Sequence, residues 1–196
     1  MKTFYLATLL LTSCIAVTAQ TQKGTINING QFGSNRGGDG QVSSGNLVRT
    51  FSLQLSPNVG YFIKNNWEIG GGVALSTSQS RYREIFPNNP EKYSSNNIGL
   101  QIYSKYYFGK GAVKPYITAG TRYNWFANNT YYVDANTVTY KTNYWSANAG
   151  VGVAWFASSR VALFSQLTYD RNWNGYTYSS KTMNLNFGVQ VNLGKK

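Results

Sequence analysis

Alternation of apolar with small or polar residues, sustained over eight separate segments, is the feature that most restricts what this chain can fold into. Side chains along a strand point to opposite faces with a period of two, so each such segment has one oily and one wet face. From Phe51 the odd positions carry Phe51, Leu53, Leu55, Pro57, Val59, Tyr61 and Ile63, and the even positions carry Ser52, Gln54, Ser56, Asn58 and Gly60. The pattern opens at Ile26, Ile28, Gly30 and Phe32. It recurs over Ile69 to Leu75, Ile98 to Phe108, Ile117 to Trp125, Trp145 to Trp155, Val161 to Tyr169 and Met183 to Leu193. Helical spacing is hard to find anywhere in the chain, so the expected class is all-β.

The connections alternate between short and long. Short turns fall at Lys64 to Asn66, Gly109 to Val113 and Ala157 to Arg160, and longer polar loops near Ser34 to Asn46, Gln79 to Ser95, Ala127 to Thr142 and Asn172 to Lys181. An even number of antiparallel strands, with short turns at one end and long loops at the other, predicts an eight-stranded antiparallel up-and-down transmembrane β-barrel. The wet face is rich in glycine, at Gly70, Gly72, Gly99, Gly120, Gly150, Gly152 and Gly188, which suits the narrow, filled interior of a small barrel. Charged residues make up only 12% of the chain and aromatics 16%, which is unlike a water-facing surface. Aromatics gather at both ends of the strands, as two interfacial girdles would require. Toward the short turns lie Tyr61, Trp67, Tyr106, Tyr107, Phe108, Tyr116, Trp155 and Phe156, and toward the long loops lie Trp125, Phe126, Tyr144, Trp145, Tyr169 and Trp173.

The N-terminus predicts export. Lys2 precedes an apolar run from Phe4 to Val17, and Val17-Thr18-Ala19 ends in the small-x-small pattern cleaved by signal peptidase. Residues 1–19 are thus expected to be a signal peptide and residues 20–196 the barrel domain. Leu11-Thr12-Ser13-Cys14 resembles a lipoprotein box, but the apolar leader continues past it, and cleavage after Ala19 leaves a mature chain without Cys or His.

The stretch Lys114-Pro115-Tyr116-Ile117-Thr118-Ala119-Gly120-Thr121-Arg122-Tyr123 resembles the fifth-strand pattern of the outer-membrane β-barrel domain family, the small OmpA/OmpX-like eight-stranded barrels. Phe187-Gly188-Val189-Gln190-Val191-Asn192-Leu193 resembles that family's last strand, although the chain then ends Gly194-Lys195-Lys196 where an aromatic is commoner. The resemblance covers essentially the whole mature chain. It implies a monomer in the cell outer membrane, inserted by the barrel assembly machinery and surrounded by outer-membrane lipids and lipopolysaccharide, with loops that act as a contact surface.

The residue inventory narrows the chemistry. Barrel enzymes of this kind need a His as base, and there is none. Without His, or Cys beyond the leader, no metal site is expected, and no cofactor is implied. Asp39, Glu68, Glu84, Glu91, Asp134 and Asp170 are too scattered to form an acid/base pair. Arg36-Gly37-Gly38-Asp39-Gly40 lacks the helix and Lys-Ser/Thr ending of a phosphate loop, and Gly70-Gly71-Gly72 is read as making room inside the barrel or letting its strand bend. The net charge of +12 is spread over both ends of the barrel in an exported chain, which points away from nucleic acid.

By parity, Glu68, Lys105, Arg122 and Asp170 point inward, and two lumenal ion pairs, Glu68 with Lys105 and Arg122 with Asp170, are expected. Their roles divide between a polar plug and a gate for a narrow passage. On the long-loop side, basic residues exceed acidic ones, and Arg81, Arg83 and Lys141 are candidates for contact with lipid phosphates. Trp67, Tyr106, Tyr116, Trp125, Trp145 and Trp155 are the candidate interface aromatics, and the Tyr-rich loops at Tyr131, Tyr132, Tyr140 and Tyr176 to Tyr178 could stack on sugars. The expected role is structural or surface-interacting. The alternatives are a narrow passive channel for small solutes and a soluble β-barrel ligand carrier, which would hide its apolar face inside.

Overall fold

A computed structural model describes residues 21–41, 47–83, 92–131, 137–173 and 179–194. The expected leader, with Cys14 and the cut before Gln20, lies outside the described residues, as do the loop residues Glu84, Glu91, Asp134, Tyr132, Tyr176 and Tyr178.

Eight antiparallel strands form one closed barrel in sequence order. They are β1 (Ile26–Gln41), β2 (Leu47–Lys64), β3 (Trp67–Arg83), β4 (Lys92–Tyr107), β5 (Val113–Tyr131), β6 (Thr137–Phe156), β7 (Val161–Trp173) and β8 (Ser179–Leu193). The short turns fall where the alternation breaks, and Asn66 (φ 66°) and Gly109 (φ 85°) supply the left-handed backbone that two of them need. At the other end the strands run well into the segments expected as loops, with β1 reaching Gln41 and β6 starting at Thr137. Apolar alternation marks only the part of a strand that touches lipid. The hydrogen-bonded ladder continues above it through polar residues such as Asn128↔Tyr140 and Asn129↔Thr139.

The oily face is the outer one. Ile28, Leu55, Val59, Leu100, Ile102, Val151, Leu163 and Leu185 are all exposed, Ile102 to 65%, and the inner face holds Asn27, Asn58, Glu68, Asn124, Gln166 and Gln190. This is the reverse of a soluble ligand carrier and removes that alternative. Outward apolar side chains belong in lipid, and closure pairs the strand edges that lipid could not hydrogen-bond.

Inside, large residues are admitted by glycines on the neighbouring strand. A Cβ on Gly60 would lie 2.1 Å from Glu68 Oε1, one on Gly70 would lie 2.5 Å from the Tyr103 ring, and one on Gly152 would lie 2.4 Å from the Tyr116 ring. The inward glycines of the Gly70-Gly71-Gly72 run therefore make room for a neighbour. At Gly188 the obstruction includes backbone, since a Cβ would sit 2.3 Å from both Gly30 O and Phe164 Cζ. Gly188→Ala should destabilise the barrel by about 1–3 kcal/mol through overpacking. Gly30→Ala, whose Cβ meets nothing within 4 Å, should be close to neutral. Chemical unfolding of the two variants in detergent micelles measures the difference.

Candidate functional site: the barrel lumen

The lumen is closed in layers from the short-turn end. At its mouth Asn66 N–H donates to Thr21 O at 2.7 Å, and the Lys114 ammonium donates to Thr21 Oγ1 and to Asn66 Oδ1. Above this latch lies an apolar collar of Phe62, Tyr107, Tyr116, Ala154, Phe156, Ala162 and Phe164. Tyr107 stacks obliquely between Phe62 (5.8 Å) and Tyr116 (5.2 Å). These aromatics sit on inward parity and fill the section of the barrel that the glycines vacate.

Tyr116 was expected in the lipid-facing girdle, together with Tyr107 and Phe156, and this is corrected. Tyr116 is only 2% exposed and its hydroxyl donates to Gln166 Oε1 at 3.1 Å. Nearness to the membrane edge says nothing about which face a residue takes, and Tyr107 and Tyr116 are cross-strand partners that share the inner one. The other five candidates are exposed: Trp67, Tyr106 and Trp155 at the lower edge, Trp125 and Trp145 at the upper. Tyr123 packs edge-on against both Trp125 and Trp145, at 4.9 and 5.0 Å, and so holds the upper pair in place.

Glu68 is fully buried on the collar. It accepts from Asn27 Nδ2 (2.9 Å), from the Tyr103 hydroxyl (2.7 Å) and from the Tyr107 hydroxyl (3.1 Å). Lys105 is its cross-strand partner, yet the expected ion pair does not form. Lys105 Nζ has no hydrogen-bond partner and lies over three rings, those of Tyr103, Tyr116 and Phe164, at 5.2, 5.3 and 5.0 Å. Cation–π attraction is strongest where water is excluded. The Glu68 carboxylate is already bound by neutral donors.

The partner of Glu68 is more distant. Arg122 donates through Nε and Nη2 to Gln101 Oε1 at 3.1 and 2.8 Å. Gln101 Nε2 donates to Asn58 Oδ1, Asn58 Nδ2 donates to Asn29 Oδ1 at 3.1 Å, and Asn29 Nδ2 donates to the Tyr103 hydroxyl at 3.1 Å. Tyr103 in turn donates to Glu68. Every bond in this relay points the same way, from guanidinium to carboxylate, so each polarises the next. Gln101, Asn58, Asn29 and Tyr103 went unnoticed as site residues in the sequence. Their signal was amide and tyrosine residues at inward positions of β1, β2 and β4.

The second expected pair is also indirect. Asp170 is buried and accepts from Asn184 Nδ2 at 2.9 Å. Asp170, Arg122 and Lys105 line one central cavity of about 40 Å³, together with Gln54, Asn184 and Asn186. That volume suits water and little else. All four lumenal charges are thus inside, two of each sign, each held by neutral groups. Among the described residues no three potential metal ligands come together.

Of the rim residues, Arg81 and Arg83 lie on the upper part of β3, and Lys141 is exposed on β6 opposite Ala127. Arg81 stands in register with Arg49 on β2 and Lys92 on β4, so three basic positions adjoin across three strands. Exposed Tyr131 and Tyr140 also stand at this rim.

An apolar exterior, a closed ladder and a filled polar lumen define an integral membrane β-barrel protein. The sequence matches the Outer membrane protein beta-barrel domain over residues 5–163, and the chain belongs to that family. A comparison with curated proteins finds no match. Among solved structures, it is similar to the outer membrane protein OprG from Pseudomonas aeruginosa (TM-score 0.57, 13% identity, 91% of this chain and 100% of that one). A major outer membrane protein from Thermus thermophilus is similar at TM-score 0.57, with 14% identity over 87% of this chain and 99% of that one. Ail, the attachment invasion locus protein of Yersinia pestis, is similar at TM-score 0.51, with 13% identity over 88% and 100%. Identities this low show the shared barrel fold alone, and it is the family match that supports an outer-membrane location.

The relay predicts coupling between two side chains that do not touch. Glu68→Gln and Arg122→Met should each destabilise the barrel, and the double variant should lose less than their sum by about 0.5–3 kcal/mol in unfolding measurements. Additivity within about 0.5 kcal/mol would mean the relay carries no energy.

Proposed function

We propose that the mature chain, residues 20–196 after removal of residues 1–19, is a monomeric structural and surface-interaction barrel without catalytic activity. In this reading the barrel assembly machinery inserts it, and its long extracellular loops make its contacts. The observation that carries it is the plug: latch, aromatic collar and buried Glu68 fill the short-turn half of the lumen. A filled lumen argues against the passive channel, and the four lumenal charges then serve to fix the interior and do not act as a gate. The lack of His leaves the interior without the base that barrel hydrolases use.

The rim supports lipid contact. Like charges directly opposite one another on neighbouring strands destabilise a sheet, and Arg49, Arg81 and Lys92 adjoin in this way at positions of the same parity as lipid-facing Leu55, Leu75 and Leu100. A phosphate of the outer-leaflet glycolipid would offset that repulsion and form charge-assisted hydrogen bonds. Arg83 and exposed Lys141 would extend the same contact around the rim.

Planar-bilayer recordings of the purified protein should show no unitary conductance steps, and Arg122→Ala should be indistinguishable from the parent. Discrete steps that change in Arg122→Ala would replace this reading with the channel. Separately, the triple variant Arg81→Ser/Arg83→Ser/Lys141→Ser should extract from the outer membrane with less bound lipopolysaccharide per barrel, while keeping the gel-mobility shift on boiling that reports a closed barrel.

A further inference from the structure

The seam between β1 and β8 differs from the other seven. The two strands pair from Ile26↔Leu193 to Phe32↔Phe187 and stop, although β1 runs on to Gln41 and β8 begins at Ser179. Among the described residues this is the one seam in which both strands continue past their last pair. The break lies at membrane depth. A spanning strand needs about 9–11 residues, and on β8 the lipid-facing residues run from Leu193 through Val189, Phe187 and Leu185 up to Met183, itself 67% exposed. Backbone from Met183 to Asn186 therefore lacks its β1 partner at a level where lipid supplies no hydrogen bonds. Such backbone is tolerated only where it is buried in protein or lines a water-filled cavity.

A cavity is there. It measures about 260 Å³ and is bounded by Gly33, Ser52, Gln54, Met183, Asn184, Leu185 and Asn186. Gln54, Asn184 and Asn186 also line the central cavity, so the two spaces share a wall, and the collar closes the route below them. Apolar Met183 and Leu185 form the outer lip, amides form the inner wall, and no charged side chain lines the cavity among the described residues.

We propose that this unzipped seam is a lateral binding and exit site for uncharged amphiphiles. The hydrogen-bonding head sits on the amides of Gln54, Asn184 and Asn186, and the apolar tail passes between β1 and β8 into the outer leaflet. Amides donate and accept, which matches a hydroxyl-bearing head. An anionic head would find no cation among the described residues that line the lateral cavity and would face Asn184 already held by Asp170. The site goes beyond the structural reading above, since it uses only the upper half of the lumen and needs neither a through-channel nor the loops.

The test uses the folded protein in phospholipid bilayers and an octyl glucoside analogue with a diazirine on the carbon next to the sugar. Photolysis should place label on inward-facing Gln54, Asn184 and Asn186, and unlabelled octyl glucoside should compete it away. Gln54→Phe, which fills the cavity, should lose the label at Asn184 and Asn186 and keep whatever reaches lipid-facing Leu100. An alkyl phosphate analogue should label only the lipid-facing belt. Label confined to belt residues such as Leu100 and Val151 with the glucoside would overturn the proposal, and equal inward labelling by the phosphate would overturn its chemical class. Backbone amide exchange on the parent gives a reading independent of any variant. Met183 to Asn186 should exchange faster than Gly99 to Ile102 in the fully paired β4–β5 seam, and equal protection would show the seam closed.

Discussion

Lipid offers no hydrogen bonds, and from that one constraint most of this structure follows. Each backbone donor and acceptor at membrane depth must find a partner in the next strand, so the sheet closes on itself with eight strands. Closure at that size leaves a bore only wide enough for side chains. The bore must then be filled, and the pairing of Gly60 with Glu68, Gly70 with Tyr103, Gly152 with Tyr116 and Gly188 with Phe164 fills it. Glycine weakens a strand interior taken alone. Here the cost is offset by packing that no larger residue would permit.

A filled bore poses a second problem, because the filling is polar. Buried polar groups without partners are expensive, and buried charges more so. The interior answers with a directed relay: Arg122 at one end can only donate, Glu68 at the other can only accept, and the amides between do both. A carboxamide can turn to present either group, so the two charged ends set the sense of the whole row. Lys105 is the exception, and its ammonium rests on aromatic faces. Tyr103 belongs to both arrangements, with its hydroxyl in the relay and its ring beneath the cation.

The fold was legible because it rests on period and punctuation. Parity assigned Ile28, Leu55 and Leu100 to lipid and Asn58, Gln101 and Asn124 to the lumen, and the turn residues at Lys64 to Asn66 and Ala157 to Arg160 bounded the strands correctly. The extent of the upper strands was not legible, because above the lipid the ladder no longer needs apolar alternation. Tyr116 has the height of a girdle residue but the parity of a lumenal one, and parity decides its face. The two expected ion pairs failed for a different reason. Cross-strand adjacency places Glu68 beside Lys105 at the backbone, but inside a closed bore a side chain reaches strands far away in sequence. Asn29, Asn58 and Gln101 sit on three strands, and neutral amides carry no mark in a sequence that singles them out as the bridge between two charges.

The same reasoning accounts for where the wall is weakest. Seven seams join strands that are neighbours in sequence, so a turn or loop holds their ends together and little chain entropy is lost on pairing. The β1–β8 seam has no such tether, since it joins the first strand to the last across nearly the whole chain. It must be held by its own contacts, and those are strong only in the lower part, beside the packed collar where Gly188 meets Phe164 and Gly30 O. Higher up, Gly33 contributes no side chain, and a Cβ there would meet Asn186 Oδ1 at 2.8 Å. Pairing along this seam therefore ends just above the packed collar, and the seam is closed where the collar backs it.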